Sequence, residues 1–173
     1  VSGKGKNRLE VKDKGMAAMF ERAQQIKEAY VKVGVLADDE KGGMHYPGGD
    51  LTVAEVAAVN EYGTQDGRIP ARSFLRSTFE ARREELAEMG REFIEKVVDG
   101  KLDLAIALGR MGAWLAGKVK RAITDGDGIP PENRPSTVRK KGSSRPLVDT
   151  GRMLAAITWS VIVGGSNNEH ENE

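Results

Sequence analysis

The chain has 173 residues, 39% hydrophobic and 31% charged, with 27 Lys and Arg against 26 Asp and Glu for a net charge of +1. This is the mix of one globular domain with a charge-rich surface, and the even balance argues against a dedicated nucleic-acid binder, which carries a clear basic excess. The absence of cysteine excludes disulfides, thiolate metal sites and cysteine nucleophiles, and no apolar run approaches the ~20 residues that span a bilayer.

From the start, Val1 to Lys14 sets Lys4, Lys6, Arg8, Lys12 and Lys14 among glycines. It reads as a flexible basic arm and, lacking an apolar stretch, not as a secretory signal. Met16, Met19, Phe20, Ala23 and Ile26 recur at helical spacing and predict a helix over Met16 to Ala29. The β-branched run Val31 to Leu36 predicts a strand, ended by Asp38, Asp39 and Glu40. A glycine-rich loop is expected through Gly42, Gly43, Gly48 and Gly49. Thr52 and Glu55 form a capping-box pattern that opens a helix, with Val53, Val56, Ala57 and Asn60 on one face and Gly63 as its terminator. Pro70 keeps Thr64 to Leu75 from being a regular helix.

Ser77 and Glu80 form a second capping-box pattern, expected to start a long helix with Phe79, Leu86, Phe93 and Val97 on one side and to stop at Asp99-Gly100. The next helix, Asp103 to Thr124, has two stripes. One is large (Leu104, Leu108, Met111, Leu115, Val119). The other is small (Ala105, Gly109, Gly112, Ala116), and each helical glycine there costs about 1 kcal/mol against alanine. Close packing should offset that cost, either inside the chain or between subunits. The short connection makes these two helices an antiparallel hairpin. Asp125 to Arg145, with Pro130, Pro131 and Pro135, is expected to be irregular. Asp149 or Thr150 then caps a short helix to Ala156. Thr158 to Val163 predicts a second strand, with Trp159, Val161 and Val163 on one face. The fold class that follows is α+β in a single domain: a small antiparallel sheet packed by a long helical hairpin and shorter helices, with long irregular loops. The organisation is a flexible basic arm over 1–14, the domain over 15–163 with a long loop over 125–148, and a flexible tail over 164–173.

Signals for chemistry are sparse. His45 lies near Asp38, Asp39, Glu40 and Asp50, but without the ligand order of a calcium loop, so an acidic loop is the better reading. Asp125-Gly126-Asp127-Gly128 reads as a turn for the same reason. Gly3-Lys4-Gly5-Lys6 lacks the spacing and the preceding strand of a phosphate loop. The second histidine, His170, sits in the tail. No catalytic residue, metal ligand or cofactor site is expected. The strongest electrostatic feature is Arg134, Arg139, Lys140, Lys141 and Arg145. These could meet phosphates, an acidic patch on a neighbouring subunit, or solvent.

Two blocks carry a family resemblance. Val59-Asn60-Glu61-Tyr62-Gly63-Thr64 followed by Arg68-Ile69-Pro70-Ala71-Arg72-Ser73-Phe74-Leu75-Arg76 is similar to the N-E-[FY]-G-T … I-P-A-R-P-F-L-R signature of tailed-bacteriophage neck and tail-component proteins. Pro146-Leu147-Val148-Asp149-Thr150-Gly151-Arg152-Met153-Leu154, followed by Ala155-Ala156-Ile157-Thr158, resembles the P-L-x-D-T-G-x-[LM]-x-x-S-I element of the same group, which includes head-tail joining (tail-completion) and Mu-like virion morphogenesis proteins. Ser73 stands where the family has Pro, and Ala156 where it has Ser. The resemblance implies a non-enzymatic virion protein without cofactor, assembled in the bacterial host cytoplasm. It would form a ring or collar at the head-tail junction or in the tail. The implied partners are copies of itself, portal-side neck proteins, and tail tube or tail terminator proteins, with weak DNA contact possible and no membrane.

The same residues have a physical reading. Pro70 fixes its own φ and pushes Ile69 toward extended geometry. Arg72 is then expected to reach outward to a neighbouring subunit while Phe74 and Leu75 anchor the loop. The interface residues proposed on these grounds are Arg68, Pro70, Arg72, Phe74, Arg134, Arg139, Lys140, Lys141, Arg145, Asp149, Thr150 and Gly151. Shaping the turns and contacting partners are compatible roles for them.

Overall fold

The two strands expected near either end of the chain pair with each other in the computed structural model. β1 (Tyr30–Val35) and β2 (Ile157–Val163) run antiparallel, with Val33 opposite Trp159 and Val35 opposite Ile157. The structure describes residues 14–46, 48–125, 129–142, 144, 146–148, 150–164 and 166–168, with only the backbone for 14, 140, 141 and 166–168. Most of the basic arm, the Gly126-Asp127-Gly128 turn, Arg145, Asp149 and the tail from Glu169, with His170, lie outside the described residues.

The tail is not wholly free, as expected from Gly164 onward. β3 (Ser166–Asn168) pairs with the other edge of β2 and completes a sheet of order β1-β2-β3. Gly164, at φ 59, turns the chain, and the Gly164-Gly165 dipeptide is a two-residue hairpin signal.

Helix α1 (Lys14–Glu28) precedes β1 and lies against β2 and the helix that ends at Val98, with Ala18, Arg22 and Ile26 half-buried. The Arg22 Nε donates to the Val98 carbonyl at 2.9 Å. The expected apolar stripe is only half used: Met16, Met19 and Phe20 face outward, Phe20 at 65% exposure. The expected glycine loop instead begins with a short helix, α2 (Glu40–Gly43), whose first N–H groups donate to the Asp39 side chain. Gly42 packs so tightly that a Cβ there would lie 1.8 Å from the Leu36 carbonyl oxygen.

The Thr52 capping box forms as expected and starts α3 (Val53–Tyr62). The Glu55 N–H donates to Thr52 Oγ1 at 3.2 Å, and the Thr52 N–H to Glu55 Oε2 at 2.7 Å. The second capping box does not form. Ser77 and Thr78 lie inside α4 (Phe74–Ala81), where their hydroxyls donate to the Ser73 and Phe74 carbonyls one turn back. A hydroxyl bonded to its own preceding turn is unavailable for capping. The long helix is also divided, with Arg82 (φ −116, ψ 12) separating α4 from α5 (Arg83–Val98). Phe79, expected inward, is exposed.

α5 ends at Asp99-Gly100 as expected, and Asp103 caps α6 (Leu104–Thr124) by accepting from the Ile106 N–H at 3.0 Å. Glu85 meets Lys118 at 3.7 Å, and Gly90 lies beside the Met111 methyl, so α5 runs back antiparallel along α6. The small stripe of α6 packs within the chain, against the sheet. A Cβ on Gly112 would fall 2.7 Å from two ring atoms of Trp159 and 2.8 Å from a Val31 methyl. The indole therefore needs the missing Cβ. Gly112→Ala should destabilise the fold by about 1–3 kcal/mol, since overpacking a rigid core forces displacement. A urea midpoint equal to wild type would mean that the ring can move aside.

The stretch over 125–148 is not irregular throughout. It contains α7 (Pro135–Lys141), entered with Pro135 in its first turn and left at Gly142 in the left-handed conformation (φ 70). This is the usual proline-in, glycine-out punctuation of a helix. The last helix, α8 (Arg152–Ala155), starts after Gly151 (φ 76), so neither Asp149 nor Thr150 is its N-terminal flanking residue. The core lies between α6, the sheet and the start of α4, where Phe74, Val119, Ile123, Met153 and Ile157 cluster with Val53. Among the described residues no helix is long and apolar enough to cross a membrane.

Candidate functional site

The first motif block forms one braced corner between α3 and α4. Glu61 sits at the end of the buried stripe Val53, Ala57, Glu61 and is only 3% exposed. Its carboxylate accepts from the Ser73 hydroxyl at 2.7 Å, the Leu75 N–H at 2.9 Å and the Arg76 N–H at 3.2 Å. It therefore caps α4, whose own flanking residue Ser73 makes no side-chain cap. A negative charge at the first turn also complements the helix dipole.

Between the helices, Gly63 and Gly67 take positive φ and the loop closes on itself. The Thr64 and Ile69 backbones join at 2.9 Å. The Thr64 hydroxyl donates to Asp66 at 2.7 Å, and the Arg68 N–H donates to the same carboxylate at 3.0 Å. Those two bonds, the hydroxyl's first, hold the Asp66 carboxyl below its usual pKa.

Arg72 is where the sequence expectation fails. Its side chain does not reach outward. It is buried, 7% exposed, and donates from Nε to the Pro131 carbonyl at 2.8 Å and from Nη2 to the Glu132 carbonyl at 3.2 Å. Burial lowers its pKa from the ordinary guanidinium value. Arg72 fastens the 131–133 segment to the corner, because a buried guanidinium needs acceptors for its fork of donors. Phe74 is likewise no interface residue: it is fully buried in the core.

Beside this corner lies a cleft of about 320 Å³. Its apolar wall comes from Val56 of α3, Ile69 and Pro70 of the loop, and Leu147 and Met153 of the second motif block. Arg68, Arg72 and Arg134 supply basic groups, while Tyr46, Asn60, Asn133 and Thr137 supply neutral polar ones. Among the described residues no carboxylate lines it. Arg68, paired at 3.1 Å with exposed Asp66, and Arg134 are exposed at the cleft. Leu147 has a left-handed backbone (φ 63), the one non-glycine residue with positive φ among those described. A branched side chain in that conformation costs about 1–3 kcal/mol, and such strain concentrates at ligand-holding positions.

Of the interface residues expected from the sequence, the fold brings Arg68, Pro70, Arg72 and Arg134 to this cleft. Thr150 lies next to it, its hydroxyl 3.3 Å from the Tyr46 hydroxyl. Gly151 serves as the turn into α8. Arg139 is exposed on α7 and lines no part of the cleft; Lys140 and Lys141 are on the same helix, with side chains outside the described residues. Glu61 belongs to the first motif block. Its sign is a carboxylate in register with Val53 and Ala57 on an apolar face. Asn60 stands in the same motif block and on the face of Val53, Val56 and Ala57, whereas Tyr46, Asn133 and Thr137 have no local sign, since only the fold assembles them.

His45 makes no metal cluster. Its Nδ1 is 2.9 Å from the Asp50 carbonyl oxygen, to which the ring N–H donates, and Asp39 is engaged in capping α2. Among the described residues no group of three or more His, Asp or Glu is placed to hold a metal ion. No family model, curated protein or solved structure matches this chain.

Proposed function

We propose that this chain is a non-enzymatic structural component of a tailed-bacteriophage virion, acting in head-tail joining or tail completion through assembly into a ring or collar. The observation that carries the reading is the meeting of the two family-like blocks. They are far apart in the chain, yet Arg68, Pro70 and Arg72 of one and Leu147 and Met153 of the other line a single cleft. The exposed Met16, Met19 and Phe20 of α1 support an assembling subunit, since such side chains gain from burial against a partner. The surface for partner contact is the cleft mouth at Arg68 and Arg134; Arg72 and Phe74 act by holding the corner in shape.

The test is deletion of the gene from its phage and electron microscopy of the lysate. DNA-filled heads beside finished, unattached tails are expected for a joining protein, and absent or misshapen tails for a tail component. Normal infectious particles would overturn the proposal. A second reading, a DNA-contacting neck protein, is favoured by the exposed Arg134 and Arg139. It requires DNA binding that weakens steeply with salt, as release of counterions from phosphates dictates.

A further inference from the structure

We infer that helix α7 is a contact surface for the phosphate backbone of duplex nucleic acid, bound without regard to base sequence. This builds on the DNA-contact reading above and needs nothing from the head-tail one.

Three observations carry it. The first is charge. The chain as a whole is balanced, 27 basic residues against 26 acidic, yet residues 133–148 hold Arg134, Arg139, Lys140, Lys141 and Arg145 and no Asp or Glu. α7 contains Arg139, Lys140 and Lys141, and Arg134 flanks its first residue. Arg134 and Arg139 are exposed, and neither pairs with a carboxylate among the described residues. Exposed Arg152 opens α8, whose Met153 lines the same cleft as Arg134 and Thr137. Arg68 and Arg72 take no part: one is held by Asp66 and the other by the carbonyls of 131 and 132.

The second is presentation. Val138 is half-buried while Pro135, Ser136, Thr137 and Arg139 are exposed, so α7 rests on the domain along one narrow line. The chain is tied on either side of it: the Asn133 side chain accepts from Arg72 at 3.4 Å and donates to the Ser144 carbonyl at 3.1 Å. The helix is thus held in place before a ligand arrives, which lowers the entropy that binding costs. No described carboxylate offsets the like charge gathered there, whereas a phosphate backbone does, with release of its counterions.

The third is what surrounds the charges. Arginine, lysine and hydroxyl side chains are usual partners of phosphate oxygens, and such contacts carry no base sequence; exposed Ser136 and Thr137 supply the hydroxyls. No Phe, Tyr or Trp lies between Ile129 and Arg152, so unpaired bases have nothing to stack on. Nor does α7 carry an exposed large apolar side chain among the described residues, as insertion into a lipid surface requires.

Fluorescence anisotropy of the full-length chain with two labelled duplexes of unrelated sequence tests this. Equal binding of both is expected. The slope of log affinity against log salt should fall between about −1.8 and about −3.6, because each phosphate engaged contributes about −0.9 and α7 with Arg134 offers two to four groups. Arg134→Gln with Arg139→Gln should flatten the slope by about 1.8. Arg110→Gln with Arg121→Gln removes the same charge from exposed sites on α6 and should leave the slope unchanged. Circular dichroism melts report that each variant is folded. Equal weakening by the α6 and α7 pairs would overturn the assignment to α7 while leaving the DNA-contact reading standing. No binding to either duplex at low salt would overturn both. Capture by phosphatidylserine vesicles or by polyglutamate, with the duplexes ignored, would overturn it in favour of a membrane or an acidic protein.

Discussion

Glu61→Ala should lower the unfolding free energy by about 2–4 kcal/mol, because it strands buried donors without opening a path for water. Three bonds converge on that carboxylate, from the Ser73 hydroxyl and the Leu75 and Arg76 N–H groups. Removing it leaves the first turn of α4 uncapped at a point where Ser73 offers no replacement. For a chain of this length the loss corresponds to a fall in melting temperature of roughly 5–15 °C. Glu61→Gln should recover part of it, since its one amide oxygen can serve donors that two carboxylate oxygens now share. Thermal and urea melts of the two variants check this. If Glu61→Ala melts with wild type, α4 is held by the burial of Phe74 alone. The loss of the cap should also reach the cleft, because the 64–73 loop is fixed at one end by α3 and at the other by the start of α4.

Gly63→Ala should be worse, by at least about 3 kcal/mol, and its neighbour Gly67→Ala supplies the control. Both glycines have positive φ, 75 and 68. At Gly67 nothing lies within 4 Å of an added Cβ, so the cost is the left-handed conformation alone, about 1–2 kcal/mol. Gly63 combines φ 75 with ψ −178, a region open essentially only to glycine. Its added Cβ would also lie 2.8 Å from the Ala71 backbone nitrogen and 2.9 Å from the Ile69 carbonyl oxygen. Backbone cannot swing aside as a flexible side chain can, so α3 and the Ile69–Ala71 segment would have to part, and the cleft would open with them. Equal urea midpoints for the two variants would show that the corner is looser than its contacts imply.

These two effects explain why a motif can be legible while the roles of its residues are not. The spacing of Asn60, Glu61, Gly63, Pro70 and Arg72 marks a unit, but the two charged members act opposite to surface expectation. Glu61 and Arg72 are turned inward to satisfy backbone groups: N–H groups of α4 for one, carbonyls of 131 and 132 for the other. A charged residue is normally read as exposed. The buried alternative depends on acceptors and donors contributed from elsewhere in the chain, as Pro131 is to Arg72. Helix α7 is hard to read from the sequence for a different reason. Pro135 and Gly142 are correct boundary signals, but the basic run between them lacks the apolar periodicity that identifies a helix.

The sequence by itself determined the α+β class, the pairing candidates Val31–Leu36 and Thr158–Val163, the Thr52 capping box and the long helix Asp103–Thr124. Each rests on a pattern local to a few turns or one strand, where 3.6- and 2-residue periods are set by backbone geometry. Only the tertiary structure decided that the small stripe of α6 receives Trp159, that Glu61 rather than Ser77 caps α4, that Arg72 is a brace, and that two distant motifs share a cleft. Those outcomes depend on which segments meet across the chain, and a buried polar group takes its role from the partner it meets there.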